Sequence, residues 1–262
     1  LELLASGGYW ALLGVVGAAC GLLNTLASSG SAVSLPILMM AGLPEGSANA
    51  TNRLPVMVGS LMASLSFARR GQMDWRAAAR LVPAAAVGSL IGALSAELLP
   101  NRQMGIVITG AVLIALVLLF TKIKHALARE STAPPEVTLK SVTLIFLVGV
   151  WLGFIVLDGA TYLMLVLILM CGYALPHANA LKVLLIAVTT LIPIVLFAEA
   201  GEIAWAEGGM LALGSIAGGH AGASLSNHPA AKVWAFRLLV GVIILELLHL
   251  GWHYAAPWRA AM

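Results

Sequence analysis

Apolar runs long enough to cross a hydrocarbon core of about 30 Å recur from one end of this chain to the other. Such a run cannot face water along its length, so the pattern fixes the solvent before any motif is read. The composition agrees: 61% of the 262 residues are hydrophobic and 10% are charged. Soluble domains run at about 45–50% apolar and about 25% charged. An ordinary soluble enzyme, a disordered chain and a disulfide-rich secreted scaffold are excluded. The expected class is an all-α polytopic membrane protein with the lipid bilayer as its surroundings.

Apolar segments fall at about 9–26, 32–42, 47–68, 75–98 and 103–121, then at 140–157, 160–172, 177–198, 205–225 and 232–250. The first run lacks a basic leader and continues into the core pattern, so it reads as a membrane segment rather than a cleaved signal. One long polar stretch, with Lys122, Lys124, Arg129, Glu130, Pro134, Pro135 and Glu136, divides the segments five and five. The expected organisation is a first membrane repeat over 1–122, a cytoplasmic linker over 123–139 and a second membrane repeat over 140–262. Segments 32–42 and 160–172 are too short to cross alone, so each is expected to form a broken or re-entrant pair with the segment before it.

An offset of 130 aligns the halves. It pairs Gly42 with Gly172, Asn49 with Asn179, Phe67 with Phe197, Gly71 with Gly201, Trp75 with Trp205, Gly88 with Gly218 and Gly92 with Gly222. Charge gives the orientation. The loop with Arg69, Arg70, Arg76 and Arg80 reads as cytoplasmic, whereas its counterpart carries Glu199, Glu202 and Glu207 and no base. Five segments per half place equivalent loops on opposite faces, so two inverted five-segment repeats are expected, with both termini periplasmic. Inverted repeats with discontinuous helices are a transporter architecture.

Two breaks carry the candidate chemistry. The first reads Asn24-Thr25-Leu26-Ala27-Ser28-Ser29-Gly30-Ser31 and the second Asp158-Gly159-Ala160-Thr161-Tyr162. Free N–H groups at a helix start, with hydroxyls beside them, suit an anion, and irregular backbone at membrane depth belongs beside protein or a wet cavity. Two polar clusters open the third segment of each half: Asn49, Thr51, Asn52 and Arg53, and Asn179 and Lys182. Each holds a base within an apolar run, a costly placement, and two readings stay open: contact with a substrate, or snorkelling to the interface. Asp158 is a candidate proton carrier or an ion-pair partner of Lys182 or Arg53.

Other features read as structural. Cys20 and Cys171 lie in apolar segments without metal-ligand spacing, and Gly88, Gly92, Gly214, Gly218 and Gly222 have the spacing of close helix packing. Glu246, His249 and His253 share a helical face at the edge of the last segment. No metal or cofactor is expected from them. Embedded paired acids or a nucleophile–base pair are missing, so the chain does not read as an enzyme. The 14 Lys and Arg form no cluster that would suit nucleic acid. The oligomeric state has no sequence signal.

In order, Asn24-Thr25-Leu26-Ala27, the Ser28–Ser31 turn, Pro36, Thr51-Asn52-Arg53, Phe67 to Gly71 and Asp74-Trp75 resemble the first repeat of the sulfite exporter TauE/SafE family. The likeness is strong over about 17–122 and weaker over about 145–250. It implies carriage of sulfur oxyanions or organosulfonates across the bacterial inner membrane, often as export, driven by the proton gradient. The chain departs from the family pattern in its serine-rich turn, in Arg53 where lysine is usual, and in Asp158. The expected site comprises Asn24, Ser28, Ser29, Ser31, Asn52, Arg53, Thr161, Asn179 and Lys182 around a small anion, with Asp158 coupling protons. A passive anion channel would share these features.

Overall fold

The computed structural model describes residues 7–98, 134–156, 159–226 and 228. Among them are eight α-helices: α1 (Gly7–Ala27), α2 (Ser31–Met40), α3 (Glu45–Arg69), α4 (Trp75–Glu97), α5 (Leu139–Phe154), α6 (Gly159–Leu165), α7 (Leu175–Glu199) and α8 (Trp205–Leu225). A π-helical turn, Val166–Met170, extends α6. These match eight of the ten expected segments within a few residues. Segments 103–121 and 232–250 lie outside the described residues, as does Asp158. Among the described residues, three helices are long and apolar enough to cross a membrane: α1, the Trp75–Ala96 stretch of α4, and α7.

Local chemistry sets the helix ends. Asp74 caps α4, its carboxylate accepting from the N–H groups of Arg76 and Ala77, each at 3.0 Å. Thr138 and Ser141 form a reciprocal capping box at α5. Helices α3 and α7 end alike: the N–H of Gln72 donates to the Phe67 carbonyl, and that of Glu202 to Phe197. The turns require a left-handed residue, supplied by Gly71 (φ 70°) and Gly201 (φ 73°). The offset of 130 therefore holds for both bounds of α3 and α7 and for the starts of α4 and α8.

The packing does not follow the sequence halves. Helix α1 lies most extensively on α8, and α4 on α5; α3 also packs on α8, and α7 on α4. Helix α2 joins α1 and α3, while α6 joins α5 and α7. Two four-helix units result, α1–α2–α3–α8 and α5–α6–α7–α4, which meet chiefly where α3 faces α7. Each half lends its fourth described helix to the other unit. The two apolar clusters follow these units only in part: Cys20, Val56, Ala63, Phe67 and Ala223 lie in the cluster centred on α4–α7, and Ala96, Ile155, Ile194 and Phe197 in the cluster centred on α1–α3.

Glycine makes the α1–α8 and α4–α5 contacts close enough for backbone to touch backbone. A Cβ on Gly214 would strike the Gly14 carbonyl, and one on Gly218 the Ala18 carbonyl; Gly88 and Gly92 face Phe146 and Val150 in the same way. The order of these contacts shows that α1 runs parallel to α8, and α4 parallel to α5. Leu12, Val15, Val87, Leu90, Leu147, Leu191 and Val195 stand exposed on the outer surfaces, as residues facing lipid acyl chains do.

Two outcomes follow. Gly218→Leu and Gly92→Leu overpack helix seams, a change that costs about 1–3 kcal/mol or more. Both are expected to lose most of the monodisperse protein on size-exclusion chromatography in detergent. Gly209→Leu, whose added Cβ meets nothing within 4 Å, is expected to retain it. The second outcome concerns Asp74, whose carboxyl is held below the usual carboxylate range. The Ala77 N–H is the largest cause, followed by the Tyr173 hydroxyl at 2.7 Å and the Arg76 N–H, against the opposing effect of burial. A lowered carboxyl stabilises the fold above its ordinary value and ceases to do so as pH falls through the lowered one. The melting-temperature advantage of the native chain over Asp74→Asn should hold at neutral pH and shrink as pH falls below the ordinary aspartate value of about 3.9.

Candidate functional site

Two helices stop within the bundle, α1 at Ala27 and α5 at Phe154. The last carbonyls of a helix have no partner in their own helix and carry the negative end of its dipole. At membrane depth such groups must be satisfied by protein or by enclosed water. In both places the partner is a buried cation from the other half of the chain.

Lys182, on α7, reaches the end of α1. Its Nζ donates to the carbonyls of Asn24 and Thr25, both at 3.0 Å, and to Ser28 Oγ at 3.1 Å. An ammonium has three hydrogens, and these bonds occupy all three. Arg53, on α3, reaches the end of α5. Its Nη1 donates to the Leu152 carbonyl at 2.9 Å, and Nη2 donates to the carbonyls of Gly153 at 2.5 Å and Phe154 at 3.2 Å. Asn49, one turn earlier, adds an N–H to the Phe154 carbonyl at 3.1 Å, and the guanidinium carbon sits 5.0 Å from the centre of the Phe197 ring. Both cations are 0% exposed. Neither side chain runs out to the surface.

Of the other expected site residues, the Asn24 carbonyl and the Ser28 hydroxyl are bonded to Lys182, while the bonds that the rest make reach neither cation. Asn24 donates to Ser60 Oγ at 2.9 Å, and Asn52 accepts from Ser34 Oγ at 2.5 Å. Ser29 Oγ donates to the Ala27 carbonyl at 3.3 Å. Ser31 is buried at the start of α2, and Asn179 is buried one turn before Lys182. Thr161 lies in α6 and is partly exposed. Sequence reasoning missed Ser34 and Ser60, hydroxyls inside apolar helices, and the receiving carbonyls, which no side-chain pattern can announce. Asn49, named in the polar cluster but not in the expected site, was also missed; its spacing of four from Arg53 is the signal that could have found it.

Some donor capacity is left. Among the described residues, Asn52 Nδ2 and Arg53 Nε, both donors, and Asn49 Oδ1, an acceptor, have no hydrogen-bond partner. Asn49 and Arg53 share one face of α3, against the end of α5. The break after α1 holds a further strained element. Ser28 has φ 63°, a left-handed conformation that costs a non-glycine residue about 1 kcal/mol, and its hydroxyl is the third partner of Lys182.

This arrangement separates strain from bonding at Ser28. Ser28→Ala loses the hydroxyl and keeps the strain, while Ser28→Gly loses the hydroxyl and relieves it. Ser28→Gly is expected to be more stable than Ser28→Ala by about 1 kcal/mol, measured by denaturation of the two purified variants in one detergent.

Residues 13–248 match the sulfite exporter TauE/SafE family. The chain is 26% identical over 239 residues to the probable membrane transporter protein ORF9 of Sinorhizobium sp, covering 90% of each chain. It is 27% identical over 226 residues to the probable membrane transporter protein YfcA of Escherichia coli K12, covering 85% of this chain and 83% of that one. A probable membrane transporter protein of Haemophilus influenzae is 28% identical over 222 residues, covering 82% and 84%. No solved structure matches the chain. With its apolar helices, its two interrupted helix pairs and a family match across most of its length, the chain belongs to the sulfite exporter TauE/SafE family of membrane transporters.

Proposed function

We propose that this transporter is a secondary carrier that exports a small sulfur-bearing anion, sulfite or an organosulfonate such as sulfoacetate, across the bacterial inner membrane. The observation that carries the reading is the pairing of each interrupted helix with a buried cation. Lys182 lies at the α1–α2 break beside Ser28, and Arg53 lies at the end of α5. In this reading an anion between the breaks feels both positive charges and takes its hydrogen bonds from Asn24, Ser28, Ser29, Ser31, Asn52, Thr161 and Asn179. The family description, sulfite exporter, supports the class of cargo.

Asp158 is the proton-coupling group in this proposal, since a carboxyl that gains a proton as the anion moves couples the two fluxes. The ten segments form two inverted repeats, with both termini periplasmic and the 123–139 linker cytoplasmic. Support comes from the matched bounds of α3 and α7 and from the parallel pairing of α1 with α8. Helix α8 follows α7 through a five-residue turn, Ala200–Ala204, and so reverses it. Helix α3 runs in the same sense as α8, with Gly208 against Leu54 and Gly219 against Gly59, so α3 and α7 run in opposite directions, as inverted equivalents must.

Flux of sulfite and sulfoacetate into proteoliposomes is the test. Saturable flux that responds to an imposed pH gradient and falls at least about tenfold in Arg53→Ala is expected. Ohmic single-channel current would replace the carrier with a passive anion channel, and undiminished flux in Arg53→Ala would remove Arg53 from the mechanism.

A further inference from the structure

The two buried cations have a geometry that a simple binding role does not require. Lys182 belongs to the α5–α6–α7–α4 unit and holds the end of α1 in the other unit. Arg53 belongs to the α1–α2–α3–α8 unit and holds the end of α5 in its partner. Both clamps therefore join one unit to the other, in opposite senses, and apolar side chains that include Phe67 and Phe197 cross between the units as well. Within each unit the contacts are of another kind. Glycine-lined backbone seams join α1 to α8 and α4 to α5, and hydroxyl bonds tie Ser215 to the Pro55 carbonyl and Ser89 to the Thr189 carbonyl. Close-packed backbone seams resist sliding, whereas a few side-chain hydrogen bonds can be exchanged.

We infer that the bodies that move in transport are these two exchanged units rather than the two sequence halves, and that Lys182 and Arg53 are positioning residues that latch the seam between them. The inference rests on the carrier reading and deepens it. Each cation acts on the anion through the helix end that it holds. Lys182 has no hydrogen left for a ligand while its three bonds persist, so its release and the opening of the α1–α2 break are one event. The offset of 130 maps Asn52 onto Lys182 and Arg53 onto Val183. The two latches are thus neighbours in register but not copies, with a bidentate fork on one side and a point charge on the other. The latches are expected to open at different stages of the cycle.

The test uses an Ala27→Cys reporter, at the partly exposed last residue of α1, in full-length protein in proteoliposomes. Its rate of reaction with a membrane-impermeant maleimide is read alongside sulfite flux in Lys182→Gln, Lys182→Arg and Ser28→Ala. For a latch, Lys182→Gln changes the labelling rate at least about fivefold and lowers maximal flux while KM stays within about threefold; Lys182→Arg restores both. Ser28→Ala, which keeps the charge and removes one partner, shifts labelling in the same direction by less. Unchanged labelling in Lys182→Gln, with KM raised about tenfold at normal maximal flux, would make Lys182 a ligand contact and overturn the inference. If Lys182→Gln does not fold, unchanged labelling in Ser28→Ala overturns it. A native chain that carries neither sulfite nor sulfoacetate would refute the carrier reading, while the labelling would still decide the latch.

Discussion

A helix that ends in a buried place leaves carbonyls that its own backbone and bulk water do not satisfy, so the surrounding protein must. Much of this structure follows from how that requirement is met at the ends of α1 and α5. Neutral donors would satisfy the hydrogen bonds alone. A cation also cancels the negative end of the helix dipole, and the dipole in turn stabilises a charge that would be costly in apolar surroundings. Lys182 and Arg53 are therefore not isolated charges awaiting a ligand. Each makes its helix end tenable and is made tenable by it. Because each cation comes from the other half, neither interrupted pair is complete by itself.

The crossing of the units has the same logic. Helices α1 and α5, shortened or interrupted within the bundle, gain lateral support from α8 and α4, which are contributed by the opposite half. Glycine allows that support to be close: the residues that face each other across these seams are backbone atoms rather than long side chains. In a bilayer, where lipid tails are as apolar as the helices, close packing of this kind is a main source of helix association. Between the units, apolar side chains such as Val56, Phe67, Ile194 and Phe197 are joined by the buried polar bonds that Asn49, Arg53 and Lys182 make to the ends of α5 and α1.

Much of the fold was legible in the sequence because it is written in one-dimensional patterns. Segment boundaries and the 130-residue offset both depend on neighbours in the chain. The two short segments were legible by length alone. Exchange of α4 and α8 between units was not legible, since which glycine face meets which is a three-dimensional choice. The candidate site was half legible. Arg53 and Lys182 stood out as charges in apolar runs, but their partners are carbonyls of residues about 100 and about 160 positions away, and carbonyls have no residue type. Sequence alone offered a ligand, the membrane surface or an ion pair with Asp158 as their destination; the structure gives the ends of α5 and α1.

Spin-label distances during transport test the central claim of two exchanged units most directly. Labels at the exposed positions Val15 on α1 and Leu213 on α8 lie in one unit but in different sequence halves, whereas labels at Val15 and Leu147 on α5 lie in different units. On addition of a transported anion and a pH gradient, the Val15–Leu213 distance should stay fixed and the Val15–Leu147 distribution should shift. A shift between Val15 and Leu213, with Val15 to Leu147 unchanged, would contradict the account.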